Sequence, residues 1–209
     1  MNGSAENEFE QLIQAHPAFP VVVSGPSGVG KTSIVQAALR QRPDWRCSIS
    51  TTTRDARAGE SSGKHYDFVS REEFERLRTE GAFLEWAEVH GYLYATPRSR
   101  LQEFLRQGHP VVLNLDVQGG ASLRREFNND GVFIFILPPS VEVLRDRLDH
   151  RGTDPAAVVE RRLENARLEL QQASRYSYVI VNENLDQAVS QLIGIVEAEQ
   201  SRVERRLKK

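Results

Sequence analysis

The chain has 209 residues, of which 39% are hydrophobic and 27% charged, a composition typical of one globular domain with room for subdomain insertions. Its net charge is −2, from 27 basic and 29 acidic side chains, so the overall charge does not favour nucleic acid or a membrane as a partner. We therefore expect any anionic ligand to be held by local arginines.

The cysteine content and the first residues predict a cytoplasmic protein. Cys47 is the single cysteine, which excludes an internal disulfide and fits a reducing compartment. It lies in a predicted strand, where we expect a buried, inert thiol. Residues 1–19 are predicted to form a flexible tail, with one helical turn near Phe9 and Leu12. Residues 1–16 lack the basic and then apolar segments of a signal peptide, and no apolar run approaches the length of a membrane span.

The segment Gly25–Thr32, with the sequence GPSGVGKT, matches a phosphate-binding P-loop. It follows a predicted strand, Val21–Ser24, and precedes a predicted helix that extends to about Arg40, which is the order that the motif requires. Glycines let the loop curl so that several N–H groups point at one phosphate chain, and the helix N-terminus adds further donors. Lys31 is then expected to contact the terminal phosphates, and the Thr32 hydroxyl to bind Mg²⁺. The alternative is an ordinary glycine-rich turn with a solvated lysine.

A long polar segment, residues 51–66, follows the second predicted strand, which covers about Arg46–Ser50. Long loops in compact domains are usually functional or disordered. Arg54 and Arg57 lie three residues apart beside a run of threonines and are suited to clamping an anionic group. A solvated, charged loop explains the same spacing at least as well.

Residues 66–96 predict a small α+β insertion between core elements. Ser70 and Glu73 form a capping box, and Gly81 ends the helix that this box begins. The strand after this helix alternates in hydrophobicity and forms a hairpin with the next strand, with the turn at Gly91. The predicted strands are Tyr66–Val69, Phe83–Val89 and Tyr92–Thr96. A helix over Ser99–Arg106 follows the insertion.

The apolar run Val111–Asp116 predicts a buried strand that ends in a carboxylate. P-loop proteins often keep such a carboxylate near Mg²⁺. The same side chain is equally suited to cap the helix that begins near Gln118. The sequence leaves these two roles of Asp116 open.

Residues 140–173 predict a charged pair of helices. Ser140 caps the first helix, on which Arg147 and Arg151 lie four residues apart. Glycine and proline break the chain before the second helix, Ala156–Ala173, which carries Arg162 near its start. This pattern fits a mobile lid, and it fits a solvated helix pair about as well.

Five apolar strands that alternate with helices predict an α/β fold with a parallel sheet covered on both faces. The strands lie near residues 21, 46, 111, 133 and 178, and an amphipathic helix follows the last of them. Ligands of such sheets bind at the carboxyl ends of the strands. The P-loop, Asp116 and the loop with Arg54 all follow strand ends, which predicts one shared site.

Several short sequence motifs, in the same order as in the family, resemble guanylate kinases over about Pro20–Glu199. The P-loop motif alone would not be specific for this family, but the whole set of separate motifs is. The matching segments are Ser24–Thr32, Thr52–Arg54 with Arg57 and Gly59–Glu60, Tyr66–Ser70, Phe83–Ala87, Asp116–Gly119, Ile136–Ser140, Arg151–Thr153 and Val181–Asn182.

This resemblance implies transfer of a phosphoryl group from ATP to GMP, and also to dGMP, with Mg²⁺ as the cofactor. It implies a P-loop core (20–50, 97–145 and 175–209), a GMP-binding subdomain (51–96) and a helical lid (146–174). The substrates would be the small molecules ATP and GMP, with no nucleic acid or membrane as a partner. The chain would act as a monomer or a homodimer.

The resemblance also implies roles for individual positions. The ATP-binding positions are Gly25, Pro26, Ser27, Gly28, Val29, Gly30, Lys31, Thr32 and Ser33. The GMP-binding positions are Ser50, Arg54, Arg57, Glu60, Tyr66, Glu85, Tyr94, Thr96 and Asp116. The catalytic positions are Lys31, Arg54, Arg147, Arg151 and Arg162, and the metal positions are Thr32 and Asp116.

Three positions depart from the pattern of the family. Asn114 stands where Asp or Glu is usual, Tyr92 where Asn is usual, and Ala95 where Gly is usual. None of these changes removes a phosphate contact, so we expect activity to survive. Two alternative functions remain: a non-catalytic binding module of this fold, against which the intact P-loop argues, and a P-loop kinase for another phosphorylated acceptor, against which Glu85, Ser50 and Tyr94 argue.

Overall fold

A computed structural model of the chain describes residues 10, 12–13, 17–57, 59–89, 91–149 and 156–207. Nine strands in these ranges form two sheets. They are β1 (Pro20–Ser24), β2 (Arg46–Cys47), β3 (Thr51–Thr52), β4 (Asp67–Phe68), β5 (Phe83–Val89), β6 (Tyr92–Pro97), β7 (Val111–Asn114), β8 (Val132–Leu137) and β9 (Tyr178–Val181).

Helices lie between many of these strands and after the last one. They are α1 (Lys31–Gln41), α2 (Arg71–Thr79), α3 (Arg98–Arg106), α4 (Val117–Phe127), α5 (Val141–Asp149), α6 (Ala156–Leu170), α7 (Leu185–Gln200) and α8 (Val203–Arg206). Single turns of 3₁₀-helix cover Asn128–Asp130 and Ala173–Arg175.

The larger sheet has five parallel strands in the order β2-β7-β1-β8-β9. Its central strand, β1, pairs with β7 and β8, so that Val21 lies beside both Val112 and Val132. The carboxyl end of β1 therefore delivers the P-loop to the middle of the sheet edge. The predicted α/β fold with a five-stranded parallel sheet is confirmed.

Helices cover both faces of this sheet because successive residues of β1 point to opposite sides. Val21 and Val23 pack in one buried cluster with residues of α1 and α7. Val22 packs on the other face with Leu101 of α3 and Leu123 of α4. Two-sided burial explains why the strands read as continuous apolar runs.

The smaller sheet has the order β4-β3-β6-β5. Strands β4, β5 and β6 come from the predicted α+β insertion, whereas β3 comes from the start of the segment 51–66, which was wrongly predicted as a loop throughout. Strand β6 pairs antiparallel with both β3 and β5. Phe74 of α2 packs with Phe83 and Leu93 in a separate buried cluster. The Ser70 hydroxyl accepts a hydrogen bond from the N–H of Glu73, which is the predicted cap of α2.

Helices α5 and α6 form the charged pair that the sequence predicts. Leu144 and Leu148 of α5 pack with Leu163 and Ala166 of α6 in a small buried cluster of their own. The Ser140 hydroxyl accepts from the N–H of Val143 and so caps α5, as predicted. Helix α6 ends at Leu170, three residues before the predicted end.

Several predicted boundaries were wrong. The strand predicted over Arg46–Ser50 ends at Cys47, because the chain leaves the large sheet there and enters the small sheet at Thr51. The strand predicted to end at Asp116 stops at Asn114, because Asp116 is the N-cap of α4. The strand predicted over Tyr66–Val69 is only Asp67–Phe68.

The start of the chain and its cysteine also differ in detail from the prediction. Phe19, placed in the tail by the prediction, is 2% exposed and packs in the main core. Most of residues 1–16, including Phe9, lie outside the described residues, although Leu12 is helical. Cys47 is partly buried, and this burial raises the pKa of its thiol to about 11, so the thiol stays protonated. Within the described ranges, no helix combines the length and the apolar character needed to span a bilayer.

Candidate active site

A cavity of about 410 Å³ lies where the carboxyl ends of the large sheet face the small sheet. One wall consists of the P-loop and the start of α1. The opposite wall comes from β5, β6 and the loops beside them. The predicted site residues that line the cavity are Gly25, Ser27, Gly28, Gly30, Lys31, Thr32, Ser33, Ser50, Arg57, Tyr66, Glu85, Tyr94, Asp116 and Arg162.

The P-loop needs glycine at two tightly packed positions. Gly25 has a φ of 141°, and an added Cβ would collide with the backbone carbonyl of Ile136 in β8. Gly30 has a φ of 97°, and an added Cβ would collide with the side-chain amide of Asn182. A larger residue at either position would move the loop, because the atoms it meets are themselves buried.

Two side chains brace the P-loop from behind. Asn182, which is 6% exposed, donates from Nδ2 to the carbonyl oxygen of Val29 at 2.7 Å. Arg147 donates to the same carbonyl at 3.3 Å and to the carbonyl of Asn182 at 2.9 Å. Arg147, predicted as catalytic, therefore points to loop backbone and does not line the cavity. The role of Asn182 was not predicted, although the residue belongs to one of the motifs that match the family.

Lys31 and Thr32 begin α1 at the mouth of the cavity. The Lys31 ammonium donates to the carbonyl oxygens of Gly25 at 2.6 Å and Pro26 at 2.9 Å, so its charge stays within the loop. The first backbone N–H groups of α1 have no acceptor within the helix and carry the positive end of its dipole. Together these groups make an anion-binding site.

The oxygen atoms near Thr32 suit a hard cation such as Mg²⁺. The Thr32 hydroxyl accepts a hydrogen bond from Asn114 at 3.0 Å, and Asp116 lies in the same cavity. The Asp116 Oδ1 atom also accepts the N–H of Gly119 at 3.0 Å, so its capping role is observed. No group of three or more His, Cys, Asp or Glu side chains in the described ranges could hold a metal. Mg²⁺ commonly uses few protein ligands together with substrate phosphates, and the hydroxyl and carboxylate here fit that mode.

Glu85 is a buried carboxyl group on the opposite wall. It lies on β5 across from Thr96 of β6, and the Thr96 hydroxyl donates to its Oε1 at 2.6 Å. Burial raises the pKa of Glu85 to about 7, against the hydrogen bond from Thr96, and the charge of Asp116 adds to the rise. Thr96 therefore lies behind Glu85 and orients it.

Arg54 is held behind the cavity and does not line it. Its guanidinium meets both carboxylate oxygens of Glu60, at 2.9 and 3.0 Å, and lies over the rings of Tyr66 and Phe68. Burial opposes the charge of Arg54, but the bonds to Glu60 raise the pKa of the guanidinium. Glu60 also accepts from the N–H of Arg57 at 2.8 Å. Arg54 and Glu60 thus fix the loop that presents Arg57 to the cavity.

Helix α6 brings two charges to the P-loop. Arg162 donates to the Ser27 hydroxyl at 3.3 Å, and the Ser27 N–H donates to Glu169 at 3.3 Å. Glu169 was not predicted, because nothing in the sequence distinguishes it from the other charges of this helix. Arg151 lies outside the described residues.

Comparison with known proteins identifies the family of this fold and site. A family model described as "Guanylate kinase" matches residues 18–199. The guanylate kinase of Syntrophotalea carbinolica is 50% identical over 184 residues, which cover 88% of this chain and 87% of that protein. The guanylate kinase of Caldanaerobacter subterraneus subsp. tengcongensis is 46% identical over 185 residues, which cover 88% and 89%. A crystal structure of guanylate kinase from Anaplasma phagocytophilum superposes with a TM-score of 0.75 at 35% identity, covering 90% of this chain and 88% of that one. The chain therefore belongs to the guanylate kinase family.

Proposed function

We propose that this enzyme transfers the γ-phosphoryl group of ATP to GMP, and to dGMP, forming ADP and GDP with Mg²⁺ as the cofactor. One observation carries the proposal: a single cavity joins the P-loop to a buried carboxyl group, Glu85, on the facing sheet. The first feature suits the phosphates of a nucleoside triphosphate, and the second suits the base of an acceptor.

The base proposed for this wall is guanine, because its N1–H and N2–H groups are neighbouring donors. The Glu85 carboxylate can accept both hydrogen bonds, with Ser50 beside it on the cavity wall. Adenine lacks this pair of donors and would leave a buried carboxylate unpaired, which disfavours AMP. Thr96 acts through Glu85, since its hydroxyl already donates to that carboxylate.

The acceptor phosphate is proposed to lie near Arg57, Tyr66 and Tyr94. All three side chains line the cavity, and the rings of Tyr66 and Tyr94 meet edge to face with centroids 5.9 Å apart. Arginine and phenol groups donate to phosphate oxygens, and arginine keeps its charge at all working pH values. Arg54 is proposed to position Arg57 through Glu60.

The ATP phosphates are proposed to lie in the P-loop, Gly25–Ser33, with Lys31 on the terminal groups. An oxygen of the GMP phosphate would then attack the γ-phosphorus in line, as its bond to the ADP oxygen breaks. Bound Mg²⁺ would neutralise phosphate charge, and Thr32 and Asp116 are the residues that would hold it. Arg162, already at Ser27, would donate to the transferring group.

Closure is proposed to involve the two segments outside the core. Residues 51–96 would carry GMP toward the P-loop, and residues 146–174 would cover ATP, so that water is excluded from the reacting phosphate. The small sheet and α2 share one buried cluster, and α5 and α6 share another. These separate clusters support movement of each segment as a unit. A cytoplasmic location and a monomeric or homodimeric state remain predictions.

The proposed reaction can be tested by product analysis. The protein is incubated with ATP, GMP and Mg²⁺, and ADP and GDP are quantified by chromatography. We expect equal amounts of ADP and GDP, and no GDP when EDTA removes the metal. ADP without GDP would show hydrolysis instead of transfer, and no products at all would favour a binding module.

The KM for GMP is expected to rise about tenfold between pH 8 and pH 6. With a pKa of about 7, Glu85 is mostly a carboxylate at pH 8 and mostly protonated at pH 6, where it loses half of its acceptor capacity. The second ionisation of the GMP phosphate, near pH 6, also contributes. Steady-state kinetics of the wild type and of Glu85→Gln separate the two effects, because only the phosphate still titrates in the variant. An equal pH dependence in both proteins would contradict this role for Glu85.

A further inference from the structure

Helix α6 meets the P-loop with two opposite charges. Arg162 and Glu169 lie seven residues apart, about two helical turns, and so share one face of the helix. Both contact Ser27: Arg162 at the hydroxyl and Glu169 at the backbone N–H, each at 3.3 Å. The helix that covers the site is therefore tied to the phosphate-binding loop through one residue.

The carboxylate of Glu169 lies where a P-loop ordinarily holds an anion. It accepts a loop N–H, and the ammonium of Lys31 stabilises its charge. Burial raises the pKa of Glu169 against this attraction, and the neighbouring charge of Asp116 raises it further. A carboxylate and a phosphate are both anions that accept hydrogen bonds from such N–H and ammonium donors.

We propose that Glu169 is a positioning residue that accepts the Ser27 N–H in place of a nucleotide phosphate oxygen and is displaced when a polyphosphate binds. Arrival of the polyphosphate repels Glu169 and attracts Arg162. Because both residues belong to α6, these two forces act about two turns apart, at the middle and near the end of one helix, and turn it over the bound phosphates. Phosphate binding is thereby coupled to the position of the lid. The inference rests on the proposed function of the P-loop.

The test measures binding of inorganic tripolyphosphate and of ATP by titration calorimetry at constant ionic strength. Tripolyphosphate isolates the phosphate site, because it has no base or ribose. Glu169→Gln keeps the size of the side chain and a carbonyl that can accept the Ser27 N–H, but removes the charge. We expect its Kd for both ligands to fall about fivefold to tenfold, since a like charge in the site has gone.

Matched variants separate charge from structural support. Glu164→Gln makes the same charge change on an exposed position of α6 and should leave both Kd values unchanged. Glu169→Ala removes both the charge and the hydrogen bond, and should also bind tripolyphosphate more tightly. Turnover gives a second readout: in Glu169→Gln the KM for ATP and kcat should fall together, because ADP also leaves more slowly.

The possible failures are distinguishable. An unchanged or higher Kd for tripolyphosphate in Glu169→Gln would overturn the inference and leave the proposed function standing. Wild-type behaviour in Glu169→Gln with weaker binding in Glu169→Ala would assign Glu169 a structural role and also overturn it. Failure of the wild type to bind either ligand would contradict the proposed function itself, and the inference with it.

Discussion

Replacing Lys31 with alanine is expected to lower kcat/KM for ATP by about 1,000-fold, corresponding to about 4 kcal/mol of transition-state stabilisation. The Lys31 ammonium is held within the loop by the carbonyls of Gly25 and Pro26, so its charge is positioned before the nucleotide arrives. The donors of α1 would remain and would preserve part of the affinity for ATP. The main loss should therefore fall on kcat, which single-turnover kinetics would measure.

The control for this variant is Lys64→Ala, which removes the same charge from an exposed loop position. It should retain wild-type kinetics. The thermal midpoint of Lys31→Ala should stay near that of the wild type, because its hydrogen bonds lie at the solvent-accessible cavity. Near-normal turnover in a folded Lys31→Ala protein would rule out the proposed contact with the transferring phosphate.

Replacing Glu85 with glutamine is expected to lower kcat/KM for GMP by about 100-fold to 1,000-fold. The glutamine amide has one oxygen and one NH₂ group. Its oxygen can accept one guanine N–H, but its NH₂ group would face the other guanine N–H, and two donors cannot hydrogen-bond to each other. Loss of a charged acceptor in a buried site costs about 3–4 kcal/mol, consistent with that range. The preference for GMP over AMP should fall by at least a similar factor, because adenine would no longer leave a buried carboxylate unpaired in the variant.

Glu88→Gln is the matched control for this prediction. Glu88 lies on the same strand, β5, but on its exposed face. It should keep wild-type kinetics with both nucleotides. A Glu85→Gln enzyme that still prefers GMP over AMP to the wild-type degree would show that another group reads the base.

The main features of the fold could be predicted because the strands of a doubly covered sheet are continuous apolar runs. Because the carboxyl ends of parallel strands lie at one edge of the sheet, the P-loop and Asp116 could be predicted to lie close together. The ends of short strands could not be predicted, since β2 stops where the chain changes sheets and no residue type marks that point. Phe19 is buried in the main core among residues from distant parts of the chain, and Arg205 lies over its ring, so its burial could not be predicted from its neighbours in sequence.

Lys31 lines the cavity, as its place in the P-loop motif predicts. Arg54 shows the limit of such reasoning, because an arginine that grips a ligand and one that grips Glu60 have the same sequence signature. Asn182 and Glu169 contact the P-loop from residues 153 and 142 positions away, and sequence spacing carries no information about such contacts.

The most direct test of the proposed function is an ADP-release assay with ATP and Mg²⁺ in which GMP, AMP, CMP and UMP are supplied one at a time. Rapid ADP release with GMP, and only background release with the other three, is the predicted result. Comparable release with AMP or with a pyrimidine nucleotide would contradict the base-reading role of Glu85. Release that does not depend on any acceptor would contradict phosphoryl transfer to GMP altogether.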